Sequence, residues 1–380
     1  MKKKILILGL KNIKQNRRMY RQVKYLKDIY DVSAMGYDSP EIEGVPFYKI
    51  IPQFKYFSSP EKAWVAFLIL FGFYKLAYKH MYKYDFKPEI LSQQNYDLII
   101  VHDLRPFPLI DGIINPSTPI ICDAHEYYLD MGGTNSLADY ILNKLDASLT
   151  KKYLYGLKYI TTVGNWIAEE YKRITQAQVY VITSASEYHN LQPLPVDPKK
   201  IKIIHHGLAV PDRKTEIMIQ AADFLDERFS IDIMMITLTF DEQYLDYLKK
   251  MCGGKKNVRI IPPVDASDLV AYTNTYDIGL FVLPSSLLSH AHALPNKIFE
   301  YVQARLMVAV SPNPEMKTFV EKYNVGMVAS DYTPKAMANL LNSLSAEQIT
   351  QYKMNSHSAA KELSAENEMI KLKNIINTII

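Results

Sequence analysis

Short apolar runs alternate with longer amphipathic stretches along most of this 380-residue chain. The runs "KKILILG", "YDLIIVHD" and "TPIICDAHE" are almost continuously apolar, and each ends at a polar or small residue. Continuous apolar runs are typical of parallel strands that are buried on both faces, whereas the intervening stretches have the spacing of helices. The alternation therefore predicts an α/β fold with parallel sheets.

The alternation is interrupted at residues 186–200, "SEYHNLQPLPVDPKK", where three prolines lie among polar residues. Such a segment predicts a linker, and 380 residues exceed the usual size of one core. We predict an N-terminal acceptor-side Rossmann-like domain at 1–185, a second Rossmann-like domain at 201–363 and a tail helix at 364–380. Two doubly wound domains of this kind would face each other across a cleft, with polar strand ends on both sides.

The charge of the chain is unevenly distributed, which points to an anionic partner for its first part. Residues 1–90 hold 17 Lys and Arg against 8 Asp and Glu, although the whole chain is only +4. The chain has no zinc-finger spacing and no RNA-binding signature, so nucleic acid is not predicted as a partner. Two cysteines imply no disulfide framework and suit the cytoplasm.

Two basic segments, residues 14–27 and 61–87, have the composition of helices that lie on an anionic membrane surface. The apolar run at 63–74 is shorter than the ~20 residues needed to span a bilayer, so peripheral binding is the prediction. The alternative is a core helix with solvated lysines and an ordinary basic surface helix. The predicted stripes consist of Lys14, Arg17, Arg18 and Arg21 in the first segment, and of Lys75, Lys79 and Lys83 beside Tyr74, Tyr78 and Tyr82 in the second.

The stretch "HALPNKIFEY" predicts an anion site at the start of a helix. It follows the strand "DIGLFVLP", and Pro295 suits the first helical position, with the helix starting near Leu294. Free N–H groups and the helix dipole attract anions there, and Lys297 adds a full charge. Glu300 lies on the same face and could accept hydrogen bonds from hydroxyls. The alternative is a capped helix with an ordinary Lys–Glu pair.

Polar residues also end two strands of the first half: His102, Asp103 and Arg105 in one, and Asp123, His125 and Glu126 in the other. A histidine at such an edge could bind a sugar hydroxyl or move a proton. The alternatives are that Asp123 caps the next helix and that Asp103 caps a helix beginning at Pro106. No Asp-x-Asp pair and no His/Cys set with metal spacing occurs in the sequence, so neither a metal nor another cofactor is predicted.

The segment "HALPNKIFEYVQARLMVAVSP" resembles the donor site of GT-B glycosyltransferases, in particular the retaining family-4-like group. The resemblance extends to "HHGLAVPDRKTEIMIQAADFL" and "NVRIIPPVDASDLVAYTNTYDIGLFVLP", and covers residues 200–345 well. "CDAHEYY" is similar to the "D.HE" motif of the same group. The resemblance implies transfer of a sugar, with retention, from a nucleotide sugar to an acceptor hydroxyl. The missing Asp-x-Asp pair disfavours metal-dependent transfer, and the basic, aromatic first domain suggests a glycan or lipid-linked glycan as the acceptor.

The resemblance also assigns residues. It implies that Glu300 binds the ribose, that Lys297 and Arg213 neutralise the diphosphate, and that Gly207 lets the diphosphate approach the backbone. His292 stands where the group has a glutamate that contacts the donor sugar, so the sugar contact is the main departure. The predicted donor set comprises Gly207, Arg213, Val264, Ser285, His292, Pro295, Asn296, Lys297 and Glu300, and the predicted acceptor side comprises Asp103, His125 and Glu126, with His125, Arg213 and Lys297 as catalytic candidates.

Two other functions remain open from the sequence. A nucleotide-sugar epimerase on the same scaffold would need acid and base carboxylates near the sugar. A non-catalytic subunit of the same fold, bound to a membrane through its basic first domain, would explain the departure at His292.

Overall fold

The computed structural model describes residues 2–129, 136–237, 242–285 and 288–380. The chain forms two compact units, one of Met1–Thr183 with Met369–Ile380 and one of Ser184–Glu368. Each unit is built on its own sheet. The linker predicted at 186–200 contains no helix or strand and lies just after the division between the units.

The first unit contains a sheet in the order β4-β3-β2-β1-β5-β6-β7-β8. Neighbouring strands are parallel, except that β4 runs antiparallel to β3. The strands are β1 (Lys4–Gly9), β2 (Asp31–Gly36), β3 (Phe47–Pro52), β4 (Tyr82–Tyr84), β5 (Leu98–His102), β6 (Ile120–Ala124), β7 (Tyr159–Thr162) and β8 (Gln178–Val181). The helices are α1 (Arg17–Leu26), α2 (Ser59–Leu70), α3 (Tyr74–Met81), α4 (Glu89–Gln93), α5 (Leu137–Tyr153) and α6 (Asn165–Ile174).

The second unit contains a parallel sheet in the order β11-β10-β9-β12-β13-β14. Its strands are β9 (Ile201–Leu208), β10 (Phe229–Ile236), β11 (Val258–Ile261), β12 (Ile278–Phe281), β13 (Met307–Val310) and β14 (Gly326–Val328). Its helices are α7 (Glu216–Ala221), α8 (Glu242–Cys252), α9 (Leu269–Thr273), α10 (Leu288–Ala291), α11 (Asn296–Gln303), α12 (Pro314–Tyr323), α13 (Pro334–Asn342) and α14 (Ala346–Ala359). The two largely parallel sheets confirm the predicted α/β class.

Both faces of each sheet are covered, as continuous apolar strands require. In β1, Ile5 and Ile7 pack on one face and Leu6 and Leu8 on the other. The last helix, α15 (Ala365–Ile379), contributes Met369, Leu372 and Ile376 to the core that contains Ile5. Alternate residues of each central strand therefore join two separate cores.

The segment 61–87 differs from the single striped helix that the lysine spacing predicts. Gly72 has φ +81° and separates α2 from α3, and Lys83 lies in β4. Tyr78 and Tyr82 are buried because their rings fill the core beside α2. Lys75 pairs with Asp111 at 3.0 Å. The predicted aromatic and basic stripes are therefore wrong in detail, and no helix within the described ranges is long and apolar enough to cross a bilayer.

The stripe predicted in residues 14–27 is also wrong at one position. Asn16 caps α1 by accepting a hydrogen bond from the backbone N–H of Met19. This start turns Arg18 inward with Met19, so that the Arg18 side chain is 7% exposed and pairs with Asp123. Arg18 is consequently part of the interior rather than of a basic surface.

Candidate functional site

The carboxyl ends of β9 and β12 form the switch point of the second sheet. The chain leaves β9 for β10 on one side, whereas it leaves β12 for β13 on the other. A crevice opens where neighbouring strands diverge in this way, and ligands of open α/β sheets bind there. Gly207 is the next-to-last residue of β9, and α11 follows β12, so predicted donor residues from distant parts of the chain meet at this edge.

Lys297 is the most unusual residue of this edge. Lys297 is 7% exposed, and its Nζ atom has no hydrogen-bond partner within the described ranges. The ammonium group lies 4.1 Å from the ring centroid of Phe281. Burial, and secondly the positive charge of Arg213, lower the pKa of Lys297 to about 7, although Glu300 acts in the opposite direction. A buried, unpartnered cation at a switch point is suited to an incoming anion.

Gly207 and Arg213 border the same ammonium group. A Cβ atom at position 207 would lie 2.8 Å from the Nζ of Lys297 and 3.8 Å from an Nη atom of Arg213. Burial lowers the pKa of Arg213, which nevertheless stays charged because an arginine cannot lose its proton in proteins. The glycine therefore leaves open the space between two basic side chains, as close approach of a diphosphate would require.

Glu300 is buried beside histidine and tyrosine side chains. Its Oε2 atom lies 3.7 Å from the Nδ1 atom of His206, whose ring meets the edge of Tyr301. The Nδ1 atom of His205 donates to the backbone oxygen of Leu280 at 3.0 Å, and burial holds the pKa of His205 well below the usual range. These contacts fix the glutamate on the inner side of α11. His206 is an addition to the predicted set, and only its place in "KIIHHG" before Gly207 could have indicated it.

The helix start differs slightly from the prediction. Pro295 is the N-cap, with φ −76° and ψ 151°, and Asn296 is the first helical residue. The preceding loop is held by Asn313, whose side-chain amide donates to the backbone oxygens of Leu283 and His290. Among the remaining predicted donor residues, Ser285 is exposed, His292 is half-buried, and the half-buried Val264 packs in the core that contains Phe281.

The first sheet has a switch point between β1 and β5, because β1 leads to β2 and β5 leads to β6 on the opposite side. Lys11 follows β1, His102 ends β5 and Asp103 comes directly after it, and Asp123 lies in β6. The side chains of all four meet at this edge through the contacts described next. The polar residues at the ends of β5 and β6 thus lie together in the structure, as expected, and Lys11 lies with them, although the sequence analysis did not identify it.

Asp123 is fully buried and forms the centre of a hydrogen-bond network. Its two oxygens accept from the guanidinium of Arg18 at 2.6 and 2.8 Å, and also from Gln22 and Thr161. Burial alone would raise the pKa of this carboxyl group, but the Arg18 charge outweighs burial and holds the pKa well below its usual range. The suggestion that Asp123 caps the next helix is wrong, because its oxygens are used inside the core.

Asp103 has the left-handed backbone conformation, with φ +71°, which is strained for a residue with a side chain. Its carboxylate accepts from Lys11 at 2.8 Å and from the Tyr128 hydroxyl at 2.9 Å. The short 3₁₀ turn after Pro106 has no side-chain cap. The alternative that Asp103 caps a helix at Pro106 is therefore wrong, since this carboxylate faces Lys11 and Tyr128 instead.

His125 lies between Lys11 and His102. Its Nδ1 atom is 3.4 Å from the Nζ atom of Lys11, and its Nε2 atom is 3.1 Å from the Nδ1 atom of His102. Glu126 presents an exposed side chain beside it, and the backbone oxygen of Glu126 accepts from Tyr171. His102, Asp123 and His125 bring potential metal-ligand atoms within 4.8 Å of one another, although their sequence spacing gave no such signal. Arg18 nevertheless occupies both oxygens of Asp123, so the hydrogen-bond network is the better description of this cluster.

The comparison with protein families matches residues 189–361 to the family described as glycosyl transferases group 1. This segment contains β9–β14 and the whole edge around Lys297. A sequence comparison with curated proteins finds no match.

Solved glycosyltransferases share the fold over nearly the full chain. A glycosyltransferase from Rickettsia africae has a TM-score of 0.70 at 13% identity, covering 100% of this chain and 98% of that one. HepE from Anabaena, in complex with UDP, has a TM-score of 0.67 at 11% identity, covering 99% and 100%. WaaG, a glycosyltransferase involved in lipopolysaccharide biosynthesis, has a TM-score of 0.66 at 10% identity, covering 98% and 99%. Residues 189–361 therefore match the group 1 glycosyl transferases, and the chain as a whole shares the GT-B fold, with two Rossmann-like domains.

Proposed function

We propose that the protein is a glycosyltransferase that moves a sugar from a nucleotide-sugar donor to an acceptor hydroxyl, with retention and without a metal ion. The observation that carries this proposal is the buried Nζ atom of Lys297, which lies at a sheet switch point without a hydrogen-bond partner in the part of the chain that the structure describes. It lies in the segment that matches the group 1 family. That HepE has been solved with UDP and with UDP-glucose supports a nucleotide sugar as the donor.

In the proposed complex, the diphosphate lies over Gly207 and between Lys297 and Arg213, and Glu300 accepts from the ribose. Residues Ile261–Val264 lie near the base. The bond between the sugar C1 and the diphosphate oxygen breaks as the acceptor oxygen bonds to C1 on the same face. The acceptor proton passes to the departing diphosphate oxygen, so that no protein nucleophile is needed. Lys297, Arg213 and the N-terminus of α11 stabilise the negative charge that develops on the leaving group.

We assign the acceptor side to Asp103, His125 and Glu126 in the first unit. A surface polysaccharide or glycolipid is the proposed acceptor class, which the similarity in fold to WaaG supports. His292 replaces the glutamate expected near the donor sugar, so we expect it to influence which sugar is accepted.

Release of nucleoside diphosphate from a panel of nucleotide sugars, with a bacterial lipid-linked glycan extract as acceptor, tests the proposal. Replacing Lys297 by Met should lower kcat by roughly 100-fold, the usual effect of removing one group that stabilises developing charge. Lys250→Met removes an exposed lysine of the same unit and should leave the rate unchanged. The anomeric configuration of the product, read from its proton coupling, reports retention.

Each rival function has its own outcome in this assay. Equal rates for the wild type and Lys297→Met would overturn the site. Conversion of the donor sugar into its epimer without an acceptor would favour the epimerase, and tight donor binding without turnover would favour the non-catalytic subunit.

We also propose that the first unit binds an anionic membrane surface through α2 and the turn that follows it. This segment exposes large apolar side chains, with Phe71 65% and Phe73 58% exposed and Trp64 46%. Exposed Lys62 and Lys79 lie on α2 and α3. Aromatic side chains bordered by lysines suit insertion into the headgroup layer of anionic lipids. This aromatic turn replaces the tyrosine stripe of the sequence analysis.

Flotation with phosphatidylglycerol vesicles tests this second proposal. The double variant Phe71→Ser, Phe73→Ser should lose binding, and the double variant Lys62→Gln, Lys79→Gln should weaken it. Phe224→Ser is the matched control, because Phe224 is 50% exposed in the second unit. Unchanged flotation of the Phe71/Phe73 variant would show that the turn is not the membrane contact.

A further inference from the structure

The network around Asp123 has a direction, because its first member can only accept hydrogen bonds. The carboxylate is paired with Arg18 and accepts from the side-chain amide of Gln22 at 2.8 Å. The amide atom that faces the carboxylate must therefore be the nitrogen of Gln22. The other amide atom, the oxygen, then faces the Nε2 atom of His102 at 2.9 Å.

An amide oxygen accepts, so the Nε2 atom of His102 must carry a proton. His102 is completely buried, and burial lowers its pKa to about 3, so the ring is neutral and has one proton only. Its Nδ1 atom is consequently unprotonated and presents a lone pair that can accept a hydrogen bond. That lone pair faces the Nε2 atom of His125 at 3.1 Å, and an oxygen of Asp123 lies 3.5 Å from the same atom. Both neighbours are acceptors, so the Nε2 atom of His125 must carry a proton.

The second nitrogen of His125 completes the series. Its Nδ1 atom lies 3.4 Å from the Nζ atom of Lys11 and accepts from it, since an ammonium group only donates. Both ring nitrogens of His125 are thus used inside the protein. A proton on Nδ1 would instead bring an N–H bond against an ammonium group.

Lys11 is held from two sides. Its ammonium group donates to Asp103 at 2.8 Å and to His125, and its third N–H bond has no partner among the residues that the structure describes. The Lys11 side chain is 31% exposed, so this third bond can reach a molecule that enters from solvent. Lys11 follows β1 at the switch point, where open sheets bind their ligands.

We propose that Lys11 binds an oxygen atom of the donor or acceptor through its third N–H bond, and that Gln22 and His102 are positioning residues that fix the His125 tautomer to hold Lys11 in place. The inference deepens the proposed glycosyltransferase function and rests on it for the identity of the substrate. In this proposal His125 holds Lys11 in place and does not shuttle a proton. The hydrogen-bond series itself is a property of the protein without substrate.

The series can be measured directly by NMR on the full chain with ¹⁵N-labelled histidine, using His125→Gln to identify the His125 signals. Two-bond correlations report which ring nitrogen carries the proton. We expect His102 and His125 both to be protonated at Nε2 at pH 7.5. A His125 ring protonated at Nδ1, or at both nitrogens, would overturn the series whether or not the protein transfers sugar.

Two substitutions of His102 separate positioning from packing. In His102→Gln the amide nitrogen can donate to Gln22 and the amide oxygen can accept from His125, so the direction of the series is kept. His102→Leu fills the space but does neither. We expect His102→Gln to retain the Nε2–H form of His125 and most of kcat/KM, and His102→Leu to lose both. Equal losses in the two variants would show a merely structural role.

Substitution of Lys11 by Met tests the contact with substrate. We expect kcat/KM for either the donor or the acceptor to fall about tenfold or more, and the affected substrate identifies which oxygen is bound. Unchanged values for both substrates in a folded Lys11→Met protein would overturn the contact. A wild-type protein that transfers no sugar would refute the proposed function instead, and the NMR result would still decide the series.

Discussion

Donor binding should take up a proton at Lys297. In the free protein the ammonium group is buried against Phe281, no described residue accepts a hydrogen bond from it, and its pKa is lowered to about 7. A diphosphate placed beside it supplies opposite charge, which favours the protonated form and raises the pKa. Binding at pH 8 must therefore add a proton that most free molecules lack.

The size of the effect on affinity follows from this lowered pKa. With a pKa of about 7, only about one molecule in ten carries the proton at pH 8, so affinity should be roughly tenfold, or ~1.4 kcal/mol, weaker than its plateau at low pH. Below pH 6 the lysine is already charged, and affinity should become independent of pH.

Calorimetry with UDP-glucose in buffers of different ionisation enthalpy measures the uptake. A nucleotide sugar suits the test because its diphosphate is esterified at both ends and has no proton that titrates in this range. We expect uptake of about half a proton at pH 7, rising toward one at pH 8, and none in Lys297→Met or Lys297→Arg. Binding to the wild type at pH 8 without proton uptake, or with the same uptake in Lys297→Met, would refute the reasoning.

Three further predictions concern stability and the site. Lys297→Met should raise the free energy of unfolding by ~2 kcal/mol or more, because it removes a buried cation. The pKa of Lys297 is lower in the folded protein than in the unfolded chain, so the stability of the wild type should rise relative to that of the variant between pH 7 and about 10. Urea unfolding that shows no such rise would contradict this. Gly207→Ala places a Cβ atom 2.8 Å from Lys297 and should weaken nucleotide-sugar binding, measured by calorimetry, about tenfold. The control Gly156→Ala has open space around its Cβ atom and should bind like the wild type, and equal affinities of the two variants would show that the diphosphate does not lie close to Gly207. Arg18→Met leaves the Asp123 carboxylate buried without its cation and should cost ~3–5 kcal/mol in urea unfolding, against less than ~0.5 for exposed Arg173→Met; a similar cost for both would refute the interpretation of Asp123.

The elements that a local pattern encodes were predicted well. Continuous apolar runs located the central strands, and the proline, lysine and glutamate of "HALPNKIFEY" located α11 and the side chains it presents. These features depend on neighbours within a few residues. The helix start at Asn296 differs from the predicted start by two residues, which is the usual uncertainty at helix ends.

The strand β3 was missed because "FYKIIP" is only partly buried and contains a lysine, so it lacks a continuous apolar run. Arg18 was assigned to a surface because its helical spacing is compatible with either face of α1. The burial of Arg18 depends on its pairing with Asp123, which is 105 residues away in the sequence. No local sequence pattern indicated Lys11 either, because its place in the site depends on its contacts with Asp103 and His125, which are distant in the sequence.

The most direct test of a nucleotide-sugar site at Lys297 is a thermal-shift panel of UDP-, GDP- and ADP-sugars on the wild type and Lys297→Met. A ligand at about 100 times its Kd stabilises the folded protein by ~2.7 kcal/mol, enough to move the melting temperature by a few degrees. We predict that at least one nucleotide sugar raises the melting temperature of the wild type by clearly more than that of Lys297→Met at the same ligand concentration. A panel in which no nucleotide sugar stabilises the wild type, or in which both proteins respond alike, would contradict the account.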